Sequence, residues 1–534
     1  MNNTLIFGSG DCARQVAGHL TAQGYAVAMV GADGRSDALA PSADATKPIT
    51  LWEGARLIDC RGQAGAFQLT FDHGGRRIAH QVGCIVVAEQ ENRSPNFEAY
   101  GLQASDRVLP ISAAETAMAR EGFPATAQRP VQVLFLNAWT QDCHPVTAAR
   151  MLQLCLAVQQ RPNMRTFYMA GNLKVSGNGM EACCQAAKAA GTMFFKFGQE
   201  VPKFAILENG RIQVEYWDAT TRMTLRLAAD YVVVDEKIAP HSTLENLAQV
   251  LRIDRDAAGF VQSDNIHRFS NATNRRGIFV AGGGRTILSN LEQQADAEHV
   301  ALKVVEFLAD LDREVLPRVE IDQGRCARCL TCFRLCPYGA IESAPRMTIV
   351  PQACQSCGLC AAGCPNRAIQ VDDRDLEAAL TRLITPDAII VPNEPFVPRL
   401  VAFCCRRSAV QAREMAITMG HRLPSGMVFV EGVCGGTFSV RHLLSALEAG
   451  ADGVMVLTCH EGNCHSESGA LNARKRVITT TQALAQADIA ADRIQFSTLA
   501  ANMGAEFARR VDLFAQTIAA MGPTMENSKG RHVQ

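Results

Sequence analysis

Long apolar runs are missing from this sequence. No stretch of its 534 residues approaches the roughly 20 consecutive apolar residues of a membrane-spanning helix, so a membrane is expected to be reached only through a partner. Charge of one sign is missing too. Lys and Arg number 52 against 53 Asp and Glu, a formal net charge of -1. That excludes nucleic acid held by a general basic field. Aromatic residues make up only 6 % of the chain. The opening segment, MNNTLIFGSGDCARQVAGHL, has no basic region followed by an apolar core and a cleavage site, and a cytoplasmic protein is expected. No constellation for hydrolysis stands out.

Cysteine, by contrast, is abundant, with 20 in all. In a small secreted chain they would be read as disulfides. Here the length argues for about three or four domains, and the cysteines are bunched, which favours metal ligation. One run is Cys326-x-x-Cys329-x-x-Cys332-x-x-x-Cys336-Pro337, and a second is Cys354-x-x-Cys357-x-x-Cys360-x-x-x-Cys364-Pro365. This is the bacterial two-cluster ferredoxin spacing, in which the fourth cysteine of each run serves the other cluster. The expected sets for two 4Fe–4S clusters are therefore Cys326, Cys329, Cys332 and Cys364, and Cys354, Cys357, Cys360 and Cys336. Zinc is the alternative, but its sites favour two C-x-x-C pairs separated by a longer loop. The runs end in similar phrases, CPYGAI and CPNRAI, so an internal repeat with pseudo-two-fold symmetry is expected. All-cysteine clusters carry single electrons, which makes the segment a wire.

Upstream, TLIFGSGDCARQVAGHLTAQGYAVAMVG reads as strand, turn, helix and strand, with Gly8-x-Gly10-x-x-Ala13 at the turn. This is the dinucleotide fingerprint in its proper context. A Rossmann-like unit kept only as scaffold is the plainer reading. The acidic residue expected at the end of the second strand falls on Gly31, and Asp33 could replace it from the loop. GCIVVAEQ and ADYVVVDEKI read as buried strands. RRGIFVAGGGR is a strand that ends in Gly282, Gly283 and Gly284, placed to face a flavin or to make an ordinary strand-to-helix turn. A second glycine fingerprint near VQVLFLNAWTQDCHP is missing, which argues against a pyridine nucleotide bound in the usual way.

The Gly8/Gly10/Ala13 turn, GAFQLTF, CIVVAEQ, YGL at Tyr100 to Leu102, RRGIFVAGG and the paired cysteine runs together resemble the A-type, flavin- and ferredoxin-containing component of heterodisulfide reductase. They also resemble the B-type component of the quinone-interacting membrane-bound oxidoreductase. The resemblance covers residues 1 to about 373. It implies FAD, 4Fe–4S clusters and electron transfer to sister subunits. The sequence departs from the family at Ala88-Glu89-Gln90, where the family ends its strand Ala-Thr-Gly. The cysteine-rich motif for an extra cluster is reduced to Cys143 and the Cys183–Cys184 pair.

After the proline-punctuated TPDAIIVPNEPFVPR, three further strands release cysteines at their C-terminal ends: Cys404–Cys405, Cys434 and Cys459, with Cys464 in the loop beyond. Open α/β sheets place their sites on that edge. VCGG, GADGV, CHEGNCH and FSTLAANMGAEFARRVDLFAQTIAAMGP are similar to the delta subunit of the methyl-viologen-reducing hydrogenase, over about residues 398 to 523. That resemblance implies a 2Fe–2S centre on Cys405, Cys434, Cys459 and Cys464. Ser408 stands where the family has a cysteine, a contact that is lost or supplied by Cys404. A vestigial domain without metal is the plainer reading. His460 and His465 flank the cysteines and are expected to donate hydrogen bonds or face solvent rather than bind iron.

The expected fold is α/β multidomain: a Rossmann-like two-dinucleotide-domain flavoprotein, a two-cluster ferredoxin domain and a C-terminal α/β iron–sulfur domain. Its segments are 1–125 and 239–315 for the FAD-binding domain, 126–238 for an inserted nucleotide-domain-like part, 316–375 for the ferredoxin, 398–523 for the C-terminal domain and 524–534 for a disordered tail. The expected role is an electron-transferring oxidoreductase subunit that links FAD, two 4Fe–4S clusters and a 2Fe–2S cluster to heterodisulfide-reductase-like, hydrogenase, formate dehydrogenase or quinone-reducing partners. The alternatives are a docking wire with a decayed flavin site and a self-sufficient NAD(P)H oxidoreductase.

Overall fold

The computed structural model of the chain describes all residues except 1–2, 32–48, 121, 125–128, 138–143, 174, 197–201, 219–220, 265–270, 312–318, 352, 372–377, 383–395 and 525–534. Asp33, Cys143 and all but the first residue of the tail lie outside the described residues.

The first unit is built on a five-stranded parallel sheet. Its strands lie in the order Ile278–Val280, Cys84–Val87, Asn3–Phe7, Ala26–Gly31, Thr50–Glu53. The central strands read almost entirely apolar because both faces are covered. On one face lie the helices Asp11–Ala22 and Asn290–Asp310, which pack Val16, Ala17 and Leu20 against Ala297, Val300 and Val304. On the other lie the antiparallel meander Arg56–Val82 and the helix Thr243–Leu251. The late strand Ile278–Val280 therefore returns to the first sheet after an inserted unit. A capping box of Ser289 with Glu292 starts the helix that follows it.

The inserted unit has its own five-stranded parallel sheet, in the order Met193–Lys196, Met164–Ala170, Val131–Asn137, Tyr231–Val234, Val108–Pro110. Val108–Pro110 and the helix Ile111–Ala119 belong to this sheet and its core. The boundary drawn near residue 125 from the sequence thus falls inside the second unit. The strand is only three residues long, too short to show a period. A two-stranded ribbon, Asn92–Pro95 against Glu236–Ala239, joins the two units. Arg93 ties it together, pairing with Glu91 at 2.6 Å and Glu236 at 2.7 Å.

The cysteine-rich segment has little regular structure. Val319–Ile321 pairs antiparallel with Ile369–Val371, and Ile341–Glu342 with Thr348–Ile349. Thr331–Leu335 and Leu359–Ala362 form one short helix per repeat. The C-terminal unit is a four-stranded parallel sheet in the order Met427–Gly432, Leu400–Cys405, Gly453–Thr458, Ile494–Thr498, with helices on both faces. No helix among the described residues is long and apolar enough to cross a membrane.

Candidate functional site: three groups of cysteines and a glycine turn

The two cysteine runs fold as near copies. Left-handed backbone recurs at equivalent positions: Arg328 and Ser356 (φ 52° and 50°), Leu330 and Gly358 (61° and 73°), Gly339 and Arg367 (56° and 52°). Most residues avoid this region, so its repetition reflects loops bent to turn thiols inward. Ala340 N–H donates to Cys336 Sγ and Ala368 N–H to Cys364 Sγ, both at 3.3 Å. Backbone donors of this kind stabilise thiolate charge.

Two small cavities result. One is bordered by Cys326, Cys329, Cys332 and Cys364 together with Met347 and Ile369. The other is bordered by Cys336, Cys354, Cys357 and Cys360 with Tyr338 and Leu359. The last cysteine of each run thus borders the cavity of the other run. Among the described residues no three His, Cys, Asp or Glu side chains converge as they would on a single metal ion; these thiols surround volumes instead.

The two cavities differ in setting. Cys329 is exposed, whereas burial pushes the Cys357 thiol up to about 12. The inner cavity is walled by neighbouring units. Arg275 donates to the carbonyls of Tyr338 and Ala353. Tyr338 shares a hydrogen bond with Ser466 at 2.9 Å. Tyr338, Cys357, Leu359 and Cys434 form one apolar cluster, which carries the inner cavity up to the third group of cysteines.

That third group sits at the C-terminal edge of the last sheet. Cys405 ends the central strand, Cys434 and Cys459 follow the strands on either side of it, and the short turn Glu461–Asn463 returns Cys464 to them. Cys459 lies within hydrogen-bonding reach of Cys405 and Cys464, and Cys464 of Cys434. The hydrogen bond with Cys459 draws Cys405 down to about 6 and Cys459 the other way. Four such neighbours cannot all ionise unless a cation stands among them. With Asp264, Arg407, Ser408, His460 and His465 they line a cavity of about 450 Å³. Cys404 does not join them. The strand's alternation turns it to the opposite face, fully buried against Ala409, Phe507 and Val511. The expectation that Cys404 could supply a missing contact is therefore corrected. Ser408 does lie in the site, beside Cys405. His460 bonds Thr498 at 2.9 Å, and the His465 ring lies beside Tyr338, tilted by 44° with centroids 6.2 Å apart.

The glycine turn lies in the first unit. Gly8 has φ 120°, and a Cβ there would meet the Ala88 carbonyl at 2.2 Å. Gly10 precedes the first turn of the helix Asp11–Ala22 and Ala13 is fully buried beneath it. Over Gly10 stands Gln90, an exposed amide whose Oε1 is 2.9 Å from where a Cβ would lie. Gly282 donates its N–H to Asp296 at 2.7 Å, and Gly284 approaches the Val87 carbonyl. Gly283 leaves room for Glu91, whose Oε2 is buried and has no hydrogen-bond partner among the described residues. An orphaned acceptor beside a glycine turn suits a hydroxyl-bearing dinucleotide: backbone N–H groups and Gln90 for phosphates, Glu91 for a sugar or ribityl hydroxyl. The residues fit such a group. Sequence reasoning did not reach Arg275, Tyr338, Asp264 or Glu91, because nothing in an isolated arginine, tyrosine or carboxylate signals a partner far along the chain.

Comparisons with known proteins follow the same division. Residues 318–341 match the model of a 4Fe-4S binding domain, and residues 400–522 that of the methyl-viologen-reducing hydrogenase, delta subunit. The A-type component of the ferredoxin:CoB-CoM heterodisulfide reductase of Methanosarcina mazei is 25% identical over 414 residues, covering 75% of this chain and 51% of that protein. The chain thus spans about half the length of the heterodisulfide reductase components it matches. The D-type iron-sulfur component of the vhu F420-non-reducing hydrogenase of Methanocaldococcus jannaschii is 32% identical over 126 residues, covering 24% of this chain and 94% of that protein. Thioredoxin reductase from Lactococcus lactis aligns at a TM-score of 0.39 and 14% identity, over 58% of this chain and 100% of that one. Homologous to the A-type components of heterodisulfide reductases over three quarters of its length, the chain belongs, through residues 400–522, to the family of the methyl-viologen-reducing hydrogenase delta subunit.

Proposed function

We propose that this chain is an electron-transferring flavo-iron–sulfur subunit of an oxidoreductase complex. In this reading the ferredoxin segment holds two 4Fe–4S clusters, on Cys326, Cys329, Cys332 and Cys364 and on Cys336, Cys354, Cys357 and Cys360. Cys405, Cys434, Cys459 and Cys464 hold a 2Fe–2S centre, and the Gly8–Gly10 turn holds FAD. Flavin exchanges electrons in pairs or singly, and iron–sulfur clusters exchange them singly. The chain's own part is to position these groups. Backbone N–H donors at Ala340 and Ala368 moderate thiolate charge, and Arg275 and Tyr338 fix the inner cavity against its neighbours. Sister redox subunits of the heterodisulfide-reductase, hydrogenase, formate dehydrogenase or quinone-reducing kind complete the reaction.

The observation that carries this reading is continuity. The inner cysteine cavity and the C-terminal cysteine site share one apolar cluster through Cys357, Leu359 and Cys434, so electrons have a protein-filled path between them. The test is anaerobic purification followed by assay of iron, acid-labile sulfide and released flavin. About ten irons per chain with stoichiometric FAD supports the reading. Iron without flavin, with Gln90 closing the turn, leaves a docking wire. Protein free of iron and sulfide removes the proposal.

A further inference from the structure

The two ferredoxin-type cavities are near copies in backbone yet opposite in surroundings. The inner one is enclosed by the first unit and by the C-terminal unit, through Arg275, Tyr338, Leu359 and Cys434. The outer one opens outward. Cys329 is exposed on it, and Leu330 and Phe333 beside Cys329 are 38% and 48% exposed. A buried counterpart shows what covers such a position. Gly358, equivalent to Leu330, is pressed against Thr437, and Leu359 is fully buried against the C-terminal unit.

The rim of the outer site is basic. Arg325, Arg328 and Arg334 are all exposed. Arg334 Nη2 donates to the Cys329 carbonyl at 3.2 Å, Arg328 Nη2 to the Ser343 carbonyl at 3.4 Å, and Asn366 holds the Arg325 carbonyl at 3.3 Å. Arg325 pairs with Asp322 at 3.4 Å. Among the described residues, no carboxylate pairs with Arg328 or Arg334. The chain as a whole carries a net charge of -1, so the positive charge that Arg328 and Arg334 add here is local.

We propose that the face around Cys329, with Leu330 and Phe333 at its centre and Arg328 and Arg334 at its rim, is the docking site of an acidic one-electron carrier protein. This rests on the reading above, in which Cys329 ligates a cluster. Exposed apolar side chains at the centre supply contact area, and unpaired arginines at the rim supply steering and register. The position is functional because an exposed cluster ligand shortens the path to a bound redox centre. One electron leaves the reduced cluster and enters the oxidised carrier; no proton or bond change is involved.

The experiment uses the anaerobic, cluster-loaded full chain, reduced with dithionite and desalted, then mixed in a stopped-flow instrument with an oxidised acidic 2Fe–2S ferredoxin. The double variant Arg328→Glu/Arg334→Glu is compared with Arg76→Glu/Arg77→Glu, which changes net charge equally on the distant meander. The wild-type rate is expected to fall as ionic strength rises. At low salt the Arg328/Arg334 variant is expected to react at least tenfold more slowly, with iron and sulfide unchanged, while the control pair retains most of the rate. Equal rates for the two variants, or a salt-independent wild-type rate, overturn the inference and leave the cluster reading standing. Salt-sensitive self-association of the chain, lost in the Arg328/Arg334 variant without change in the ferredoxin rate, assigns the face to a second copy and also overturns it. An iron-free wild-type chain overturns both.

Discussion

Arg275 donates from Nη2 to the carbonyl oxygen of Tyr338 at 2.8 Å. Its guanidinium also lies 5.7 Å from the Tyr338 ring centroid and donates from Nη1 to Ala353 at 2.5 Å. One buried side chain of the first unit therefore holds two backbone carbonyls of the cysteine-rich segment, which has little core of its own. Arg275→Ala leaves both carbonyls without this donor, and charged hydrogen bonds of this kind contribute about 1.5–3 kcal/mol each. The variant is expected to melt earlier and to be cleaved faster between residues 310 and 380 in limited proteolysis. Arg275→Lys is expected to recover only part of the loss, because an ammonium cannot reproduce the planar fork.

Gly339 and Gly358 both have positive φ, but only Gly358 is crowded. A Cβ at 358 would lie 1.9 Å from Thr437 Oγ1, while one at 339 would meet nothing within 4 Å. Gly339→Ala is expected to cost about 1 kcal/mol of backbone strain. Gly358→Ala is expected to cost more and to disturb docking of the C-terminal unit. Thermal denaturation of the two variants side by side measures the difference, and equal losses would mean that Thr437 simply moves aside.

Adjacent cysteines make a sharper comparison. Cys404 and Cys405 point to opposite faces of one strand, and only Cys405 reaches the other thiols. On the proposed 2Fe–2S centre, Cys405→Ala is expected to lower iron by about two per chain, and Cys404→Ala to leave iron unchanged while lowering stability by about 1 kcal/mol from lost packing. Iron analysis with low-temperature EPR of the reduced proteins distinguishes them.

Substitution in the ferredoxin segment should act one cavity at a time. Cys332→Ala is expected to lower iron by about four per chain and leave flavin bound. Cys364→Ala should deplete the same cluster, although it lies in the other run, because Cys364 borders the outer cavity. A loss that instead tracked the run would overturn the exchanged pairing.

Asp230 gives a pH dependence with a defined sign. Burial alone would raise its pKa, but hydrogen bonds from Arg129 and from the Gln132 N–H outweigh burial and lower it. A carboxyl lowered in the folded state adds stability above its unfolded value, near 3.9, and that stability is lost as pH falls through the lowered folded value. The inserted sheet should therefore weaken in acid, with Asp230→Asn flattening the dependence below about pH 4 in denaturation curves.

Legibility followed the range of the interactions involved. The glycine turn and the cysteine runs could be read because their chemistry is set by spacing of a few residues, and the long apolar strands because both faces of a parallel sheet are covered. The second unit's edge strand Val108–Pro110 was too short to reveal its partner. The fate of Cys404 depended on which way a strand's alternation faced, which one residue of register decides. Arg275, Tyr338 with Ser466, and Arg407 with Asp264 are contacts between units. They depend on how finished units meet, and no local pattern records that.

The C-terminal thiols are carried on the ends of neighbouring parallel strands whose cores are complete without them, whereas the ferredoxin thiols hang on loops with almost no core beneath. Inorganic cofactor would accordingly enter a scaffold already standing in one case and have to gather its own scaffold in the other. Freshly synthesised chain, before any iron arrives, would thus offer proteases the loops around the cysteine runs far more readily than the sheet that carries Cys405, Cys434 and Cys459.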